Sequence, residues 1–332
     1  MSQRATHTKV ALAGVSATAL VSALAACGGT GSADGPSAEF RRPVEMVVPF
    51  GSGGGADQVA RAAGKGMEGS IDTDVPVVNV PGATGSTGIT KMLSGRAGES
   101  MSILIQDTLT TVAADAASFS LDETTAVCRL QSMPSALMVR KDTYKDWKEL
   151  AADVKSKPGE VKVATVGSNS VDDIVLAALE EAQDTEFRAV PYSEPSERYA
   201  ALLGGEVDVL YEQLGDVRQY LDSGDFVPLV LMSDKAVKGF DGVPLATDIG
   251  LPEEVVLPQF RGVIVSSETE DKVVSALSDA CKEAVDSSDM KKFQKQVYAE
   301  KDSYQDADEF QEFLDDQYDL IGKQLEEYGL GG

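Results

Sequence analysis

The chain has 332 residues, with 54 aspartates and glutamates against 29 lysines and arginines and a formal charge of −25. Its hydrophobic share of 42% suits a globular protein long enough for two domains and excludes a disordered or collagen-like chain. So acidic a surface argues against nucleic acid and against an anionic membrane face as partners. The single histidine is His7, near the start, so the remainder offers no histidine base and no histidine-dependent triad.

The first residues read as a targeting segment. Arg4 and Lys9 make a basic start, and Val10 to Ala23 is an apolar stretch too short to span a membrane comfortably. Leu24-Ala25-Ala26-Cys27-Gly28 then resembles a bacterial lipobox, which implies cleavage before Cys27 and a diacylglycerol on its thiol. The alternative is an ordinary signal peptide with an accidental cysteine. A signal peptide is therefore expected over residues 1–26 and a flexible glycine- and serine-rich tether over 27–38. No later apolar run is long enough for a transmembrane helix.

Val44 to Val48 reads as a buried strand. Pro49-Phe50-Gly51-Ser52-Gly53-Gly54-Gly55-Ala56-Asp57 follows, and then Val59, Ala63 and Met67 recur at helical spacing. A strand feeding a glycine-rich turn into a helix presents free N–H groups and the positive end of the helix dipole, a ready site for an anion. A flexible turn that touches nothing is the other reading. The device comes again: strand Val75 to Val80, loop Pro81-Gly82-Ala83-Thr84-Gly85-Ser86-Thr87-Gly88, then Ile89, Met92 and Leu93 on a helix. Two such loops on neighbouring strands would converge at the carboxyl edge of one sheet, where open α/β sheets bind ligands.

Ser102 to Ile105 and Ala136 to Val139 read as short strands, and Trp147 to Val154 as a helix closed by Lys157-Pro158-Gly159. Strand Val161 to Val166, loop Gly167-Ser168-Asn169-Ser170 and a helix carrying Val171, Ile174, Val175, Ala178 and Leu179 repeat the unit a third time. Strand Phe187 to Val190 ends at Pro191-Tyr192, and a helix over Ser196 to Leu203 stops at Gly204-Gly205. Strands follow at Val207 to Tyr211, Phe226 to Met232 and Gly262 to Val265, then helices over about 270–286, 289–300 and 307–328. This alternation predicts largely parallel sheets with helices on both faces. Cys128 and Cys281 lack metal-ligand spacing and are either one disulfide or two buried thiols.

In order and spacing, these loops resemble those of the extracytoplasmic solute-binding receptors of tripartite tricarboxylate transporters, the TctC or Bug family. The likeness runs from about Pro43 to the C-terminus. It is carried by Val48-Pro49-Phe50, Gly53 to Asp57, Ala60-Arg61, Asn79, Pro81-Gly82-Ala83, Gly85, Gly88, Gly167-Ser168, Val190-Pro191-Tyr192 and Leu202 to Asp208. The resemblance implies an α/β, two-domain, type II periplasmic-binding-protein (Venus flytrap) fold. It also implies no catalysis, no cofactor or metal, an organic acid as cargo and a pair of membrane permease subunits as partner. The protein would be a monomer, tethered to the extracytoplasmic face of the cell membrane through Cys27.

The ligand residues it implies are Phe50, Ser52, Gly53, Gly54 and Asp57 in the first loop and Thr84, Gly85, Ser86 and Thr87 in the second. Ser168, Ser170, Tyr192 and Glu212 would close from the other domain. Ser170 and Thr87 could equally cap their helices, and Asp57 could brace its loop. Domain 1 is expected over residues 39–137 and 232–332, and domain 2 over 138–231. The sequence departs from its relatives at Val171-Asp172-Asp173, where many carry a histidine, at Glu194, where a glycine is common, and at Glu212, where aspartate is common. If these acids face the cleft, the far end of the ligand is neutral or cationic and citrate is not the cargo. Two rival readings are a hydrolase and an exported nucleotide-binding protein. The latter rests on Gly51 to Ala56 as a G-x-G-x-x-A fingerprint with Asp72 or Asp74 downstream. A Walker A loop is excluded, because no Gly-Lys-Ser/Thr follows.

Overall fold

The computed structural model describes residues 40–192 and 194–330, so Cys27, the signal peptide and the tether lie outside the described residues. Strand β1 (Glu45–Val48) leads into helix α1 (Gly55–Ile71), β2 (Val77–Asn79) into α2 (Ser86–Leu93), and β3 (Ser100–Ile105) into α3 (Gln106–Ala113). Then come β4 (Thr124–Met133), β5 (Ser135–Arg140), α4 (Trp147–Ser156), β6 (Lys162–Thr165), α5 (Val171–Gln183), β7 (Arg188–Pro191) and α6 (Pro195–Gly204). The chain continues through β8 (Val209–Gln213), α7 (Arg218–Ser223), β9 (Phe226–Met232), β10 (Gln259–Ser266), α8 (Asp271–Asp286), α9 (Ser288–Gln296) and α10 (Ala307–Glu327).

Two five-stranded sheets result, ordered β2-β1-β3-β10-β4 in lobe 1 and β7-β6-β8-β5-β9 in lobe 2. The two orders mirror each other. Within each sheet four strands run the same way and the fifth is reversed: β10 is antiparallel to β3 and β4, and β5 to β8 and β9. The expectation of largely parallel sheets is corrected at these two strands. Each arrives from the opposite lobe, and so enters its sheet from the far end.

The expected boundary between residues 137 and 138 is also corrected. Leu137 and Met138 sit in the middle of β5, paired with Tyr211 and Leu210. The chain changes sheet at Pro134, whose carbonyl accepts a hydrogen bond from Leu214 N. The return crossing comes later than residue 232. Leu231 bridges to Leu245, and Gln183 of α5 donates to the Ile249 carbonyl, which ties the intervening segment to lobe 2.

Three elements escaped the sequence reading: β4, α3 and the short α7. Strand β4 is buried along nearly its whole length, so it shows no polar alternation. Helix α3 is rich in threonine, and Thr110 and Thr111 fold their hydroxyls back onto the carbonyls of Gln106 and Asp107. Burial of both its faces, not propensity, keeps it helical. The two cysteines form a disulfide from β4 to α8, Cα to Cα 6.5 Å, inside the lobe 1 core.

Candidate functional site

Helices α1, α2 and α3 all start at the carboxyl ends of β1, β2 and β3, and none has a side chain capping its first turn. Of the other helices, α4, α9 and α10 are capped by Asp146, Ser287 and Asp306, while α6 and α8 also lack a side-chain cap. Lobe 1 therefore presents the open N-termini of α1 and α3 toward lobe 2, each favouring an anion by about 0.3–1 kcal/mol, whereas at α2 the Ser86 and Thr87 amides are already taken by the Ala83 and Gly82 carbonyls.

The first loop is held from beneath. Asp57 accepts from Gly53 N at 3.0 Å, from Arg61 Nη2 at 2.8 Å and from Asn79 Nδ2 at 3.0 Å. Asn79 also donates to the Phe50 carbonyl at 3.1 Å. Burial pushes the Asp57 carboxyl up, but these donors outweigh it and hold the group below the usual carboxylate range. Asp57 is thus the brace of the loop. The second loop is a strained turn: Ala83 and Thr84 adopt φ of 48° and 49°, Gly82 136° and Gly85 95°. Thr108 of α3 pins it by donating to the Thr84 carbonyl at 2.9 Å.

Lobe 2 closes directly on these loops. Thr111 donates to the Asn169 carbonyl at 3.1 Å, and Val171 N, the first amide of α5, donates to the Asp107 carboxylate at 3.2 Å. The Gln213 and Gln259 amides meet at 2.9 Å, and Arg261 of β10 pairs with Asp216 of lobe 2. Between the lobes a cavity of about 40 Å³ remains, lined by Phe50, Gly54, Gly55, Asp107, Arg198, Glu212, Asp216 and Arg261 among others. It has room for a few waters at most, so the lobes must part to admit a solute. A larger hollow of about 830 Å³ lies between the 115–124 segment and α10, but its charged lining is Asp115, Asp122, Glu123 and Asp315 without a cation. That surface repels carboxylates, and no helix N-terminus is open to it.

Not every residue expected at the site is there. Phe50, Gly54 and Glu212 line the cavity. Gly85 lies just behind it, under Phe50 and Thr108, and the Thr84 hydroxyl faces Gly167 across the lobes. Ser86 is buried and engaged by Ser118, whose N donates to it at 2.8 Å. Ser170 donates to the Gly167 carbonyl while its N–H meets Asp173, so it shapes the start of α5. Ser52, Thr87 and Ser168 are exposed. Gly53 takes φ of 84° and serves the turn. Tyr192 packs against the lobe 2 core instead of forming a cleft wall, because its backbone is held by Thr165 and Arg198. Of the three departing acids, Asp172 turns inward to accept from Val166 N at 2.6 Å, and Glu194 lies over Gly51.

The charged lining residues Asp107, Arg198, Asp216 and Arg261 were missed. A legible signal existed for Arg261, a charge inside the apolar run Phe260 to Val265. Asp107 was hidden because α3 was. Arg198 Nη2 donates to Glu212 at 2.7 Å and Nη1 to the Tyr192 carbonyl, while Tyr199 OH reaches the same carboxylate at 3.1 Å. Burial would lower the Arg198 pKa, but the Glu212 charge beside it holds it above its ordinary value. Burial pushes the Asp107 carboxyl up to about 6, against the pull of Val171 N–H and Arg198. It raises Asp172 well above the usual range and Asp216 above it, the latter despite Arg261.

A family model for the tripartite tricarboxylate transporter family receptor, TctC, matches residues 59–330. The chain belongs to this family. The protein BugT of Bordetella pertussis is 26% identical over 253 residues, covering 74% of this chain and 77% of that protein. The structure of the periplasmic binding protein BugD superposes with a TM-score of 0.80 at 23% identity, covering 88% of this chain and 99% of that one. MatC from Rhodopseudomonas palustris, solved with bound malate, superposes with a TM-score of 0.78 at 24% identity, covering 86% and 99%. Fold and family are those of two-domain TctC solute-binding receptors, not of dehydrogenases or hydrolases.

Proposed function

We propose that this TctC receptor captures a small organic carboxylate between its lobes outside the cytoplasm and delivers it to the membrane permease subunits of a tripartite tricarboxylate transporter. The observation that carries the reading is the pair of uncapped N-termini at α1 and α3 on the interlobe cavity, with Arg261 beside Gly55 at the start of α1. Backbone N–H groups and a guanidinium suit a carboxylate whatever the rest of the solute is. The malate and adipate held by two structural relatives are solutes of that class. The receptor works as a monomer and turns over nothing.

The test is a thermal-shift panel of C3 to C6 organic carboxylates, with NAD as a control. A bound solute at a hundred times its Kd stabilises by about 2.7 kcal/mol, a readily measured rise in Tm. No response to any carboxylate, or a response to NAD alone, overturns the reading. The Leu24 to Cys27 motif supports a lipid anchor. Cys27→Ala is expected to release the protein from membranes into the soluble fraction, and a variant still membrane-bound after a high-salt wash refutes the anchor.

A further inference from the structure

The Arg261–Asp216 pair joins the two lobes at the point where the solute must enter. Arg261 is on β10 of lobe 1 and Asp216 follows β8 of lobe 2, and both line the interlobe cavity. Their side chains are 5% and 8% exposed. Both crowd the first residue of α1: a Cβ on Gly55 would lie 2.1 Å from Asp216 Oδ1 and 2.3 Å from Arg261 Nη2. Asp216 Oδ2 takes the guanidinium, while Oδ1 is buried with no hydrogen-bond partner. On the same cavity Arg198 Nε is a buried donor without an acceptor. One acceptor and one donor thus wait on the same small space.

A carboxylate seated on the α1 terminus takes Arg261 as its counter-ion. Asp216, carried in by lobe 2, then loses its partner and is buried facing the solute. Asp107 lines the same cavity, and Arg198 is paired with Glu212. A second carboxylate would meet the unpaired Asp216, and Arg198, the other cation on the cavity lining, is already engaged by Glu212. A solute that brings its own cation replaces the one lost. The buried ion pair becomes two, Arg261 to carboxylate and nitrogen to Asp216, with the charge balance unchanged.

We propose that the captured solute is zwitterionic, a carboxylate bearing a protonated amine, and that it inserts into the Arg261–Asp216 pair with its nitrogen on Asp216. This rests on the carboxylate reading above and names the chemical class. The resemblance to TctC receptors does not supply it, since it comes from Asp216, Asp107 and the spare atoms of this cavity.

The experiment is calorimetry on wild type with length-matched pairs that differ in one group: succinate against 4-aminobutanoate, and lactate against alanine. The amino member of at least one pair is expected to bind about tenfold tighter or more, the worth of one charge-assisted hydrogen bond. Asp216→Asn is expected to erase that preference while Arg261 still holds the carboxylate, and Asp107→Asn to weaken it in part. Equal or tighter binding of the acid or hydroxy member in both pairs overturns the inference and leaves the carboxylate reading standing. So does a preference that survives in both variants. Binding of neither class overturns both. The wild-type comparison stands even if Asp216→Asn fails to fold.

Discussion

Arg198→Ala is expected to lower the unfolding free energy by about 3–5 kcal/mol, the usual cost of leaving one member of a buried ion pair alone. Arg198 and Glu212 are 5% and 3% exposed and meet at 2.7 Å. Without the guanidinium, Glu212 is left to the Tyr199 hydroxyl and to Gln213 as donors. The Tyr192 carbonyl also loses its contact, so the turn before α6 loosens with the pair. Lysine does not substitute, since a point charge on a flexible stem cannot serve Glu212 and the Tyr192 carbonyl with one rigid fork. Urea melts of the single variant and of Arg198→Met with Glu212→Leu form the decisive comparison. The double variant should lose much less than Arg198→Ala, because both charges leave the interior together. A loss below about 1 kcal/mol for Arg198→Ala would mean that water reaches Glu212 and that the pair behaves as a surface pair.

The second large effect is on binding. Gly85→Val is expected to lower affinity by on the order of a hundredfold or more and to cost about 1–3 kcal/mol of stability, the usual range for a branched residue at a left-handed position. Gly85 has φ of 95°, and a Cβ there would lie 2.5 Å from Thr108 Oγ1 and 3.2 Å from the Phe50 ring. The change therefore distorts the second loop and pushes Phe50 toward the cavity. Gly54→Val separates two causes. Its φ of −72° is open to any residue, so lobe 1 should fold as before. Its Cβ would stand 3.2 Å from Pro195 Cγ in the opposite lobe. The expected outcome is a normal Tm, weaker binding and a larger radius of gyration by X-ray scattering, because closure is obstructed. Unchanged affinity in both variants would place the site away from these loops.

The sequence by itself determined the loops. A β-branched strand, a glycine-rich turn and a small-residue helix face are local patterns, and at Gly51–Gly55 local chemistry alone dictates an open helix start. Asp57 was legible as a brace for the same reason, since its partners Gly53 and Arg61 are four residues away on either side.

What only the tertiary structure decided is which charges share the space between the lobes. Asp107, Arg198, Asp216 and Arg261 come from four separate elements, and nothing local marks Asp216 and Arg261, 45 residues apart, as a pair. Helix α3 was invisible because burial, not periodicity, makes it a helix. The antiparallel entries of β5 and β10 follow from the double crossing, a property of the whole path. The hydroxyls show the same limit from the other side. Ser86 and Ser170 stood in the right loops, yet Ser118 and the Gly167 carbonyl, groups that only folding brings to them, engage both. A buried hydroxyl takes the nearest partner that satisfies it, and sequence does not say which partner that is.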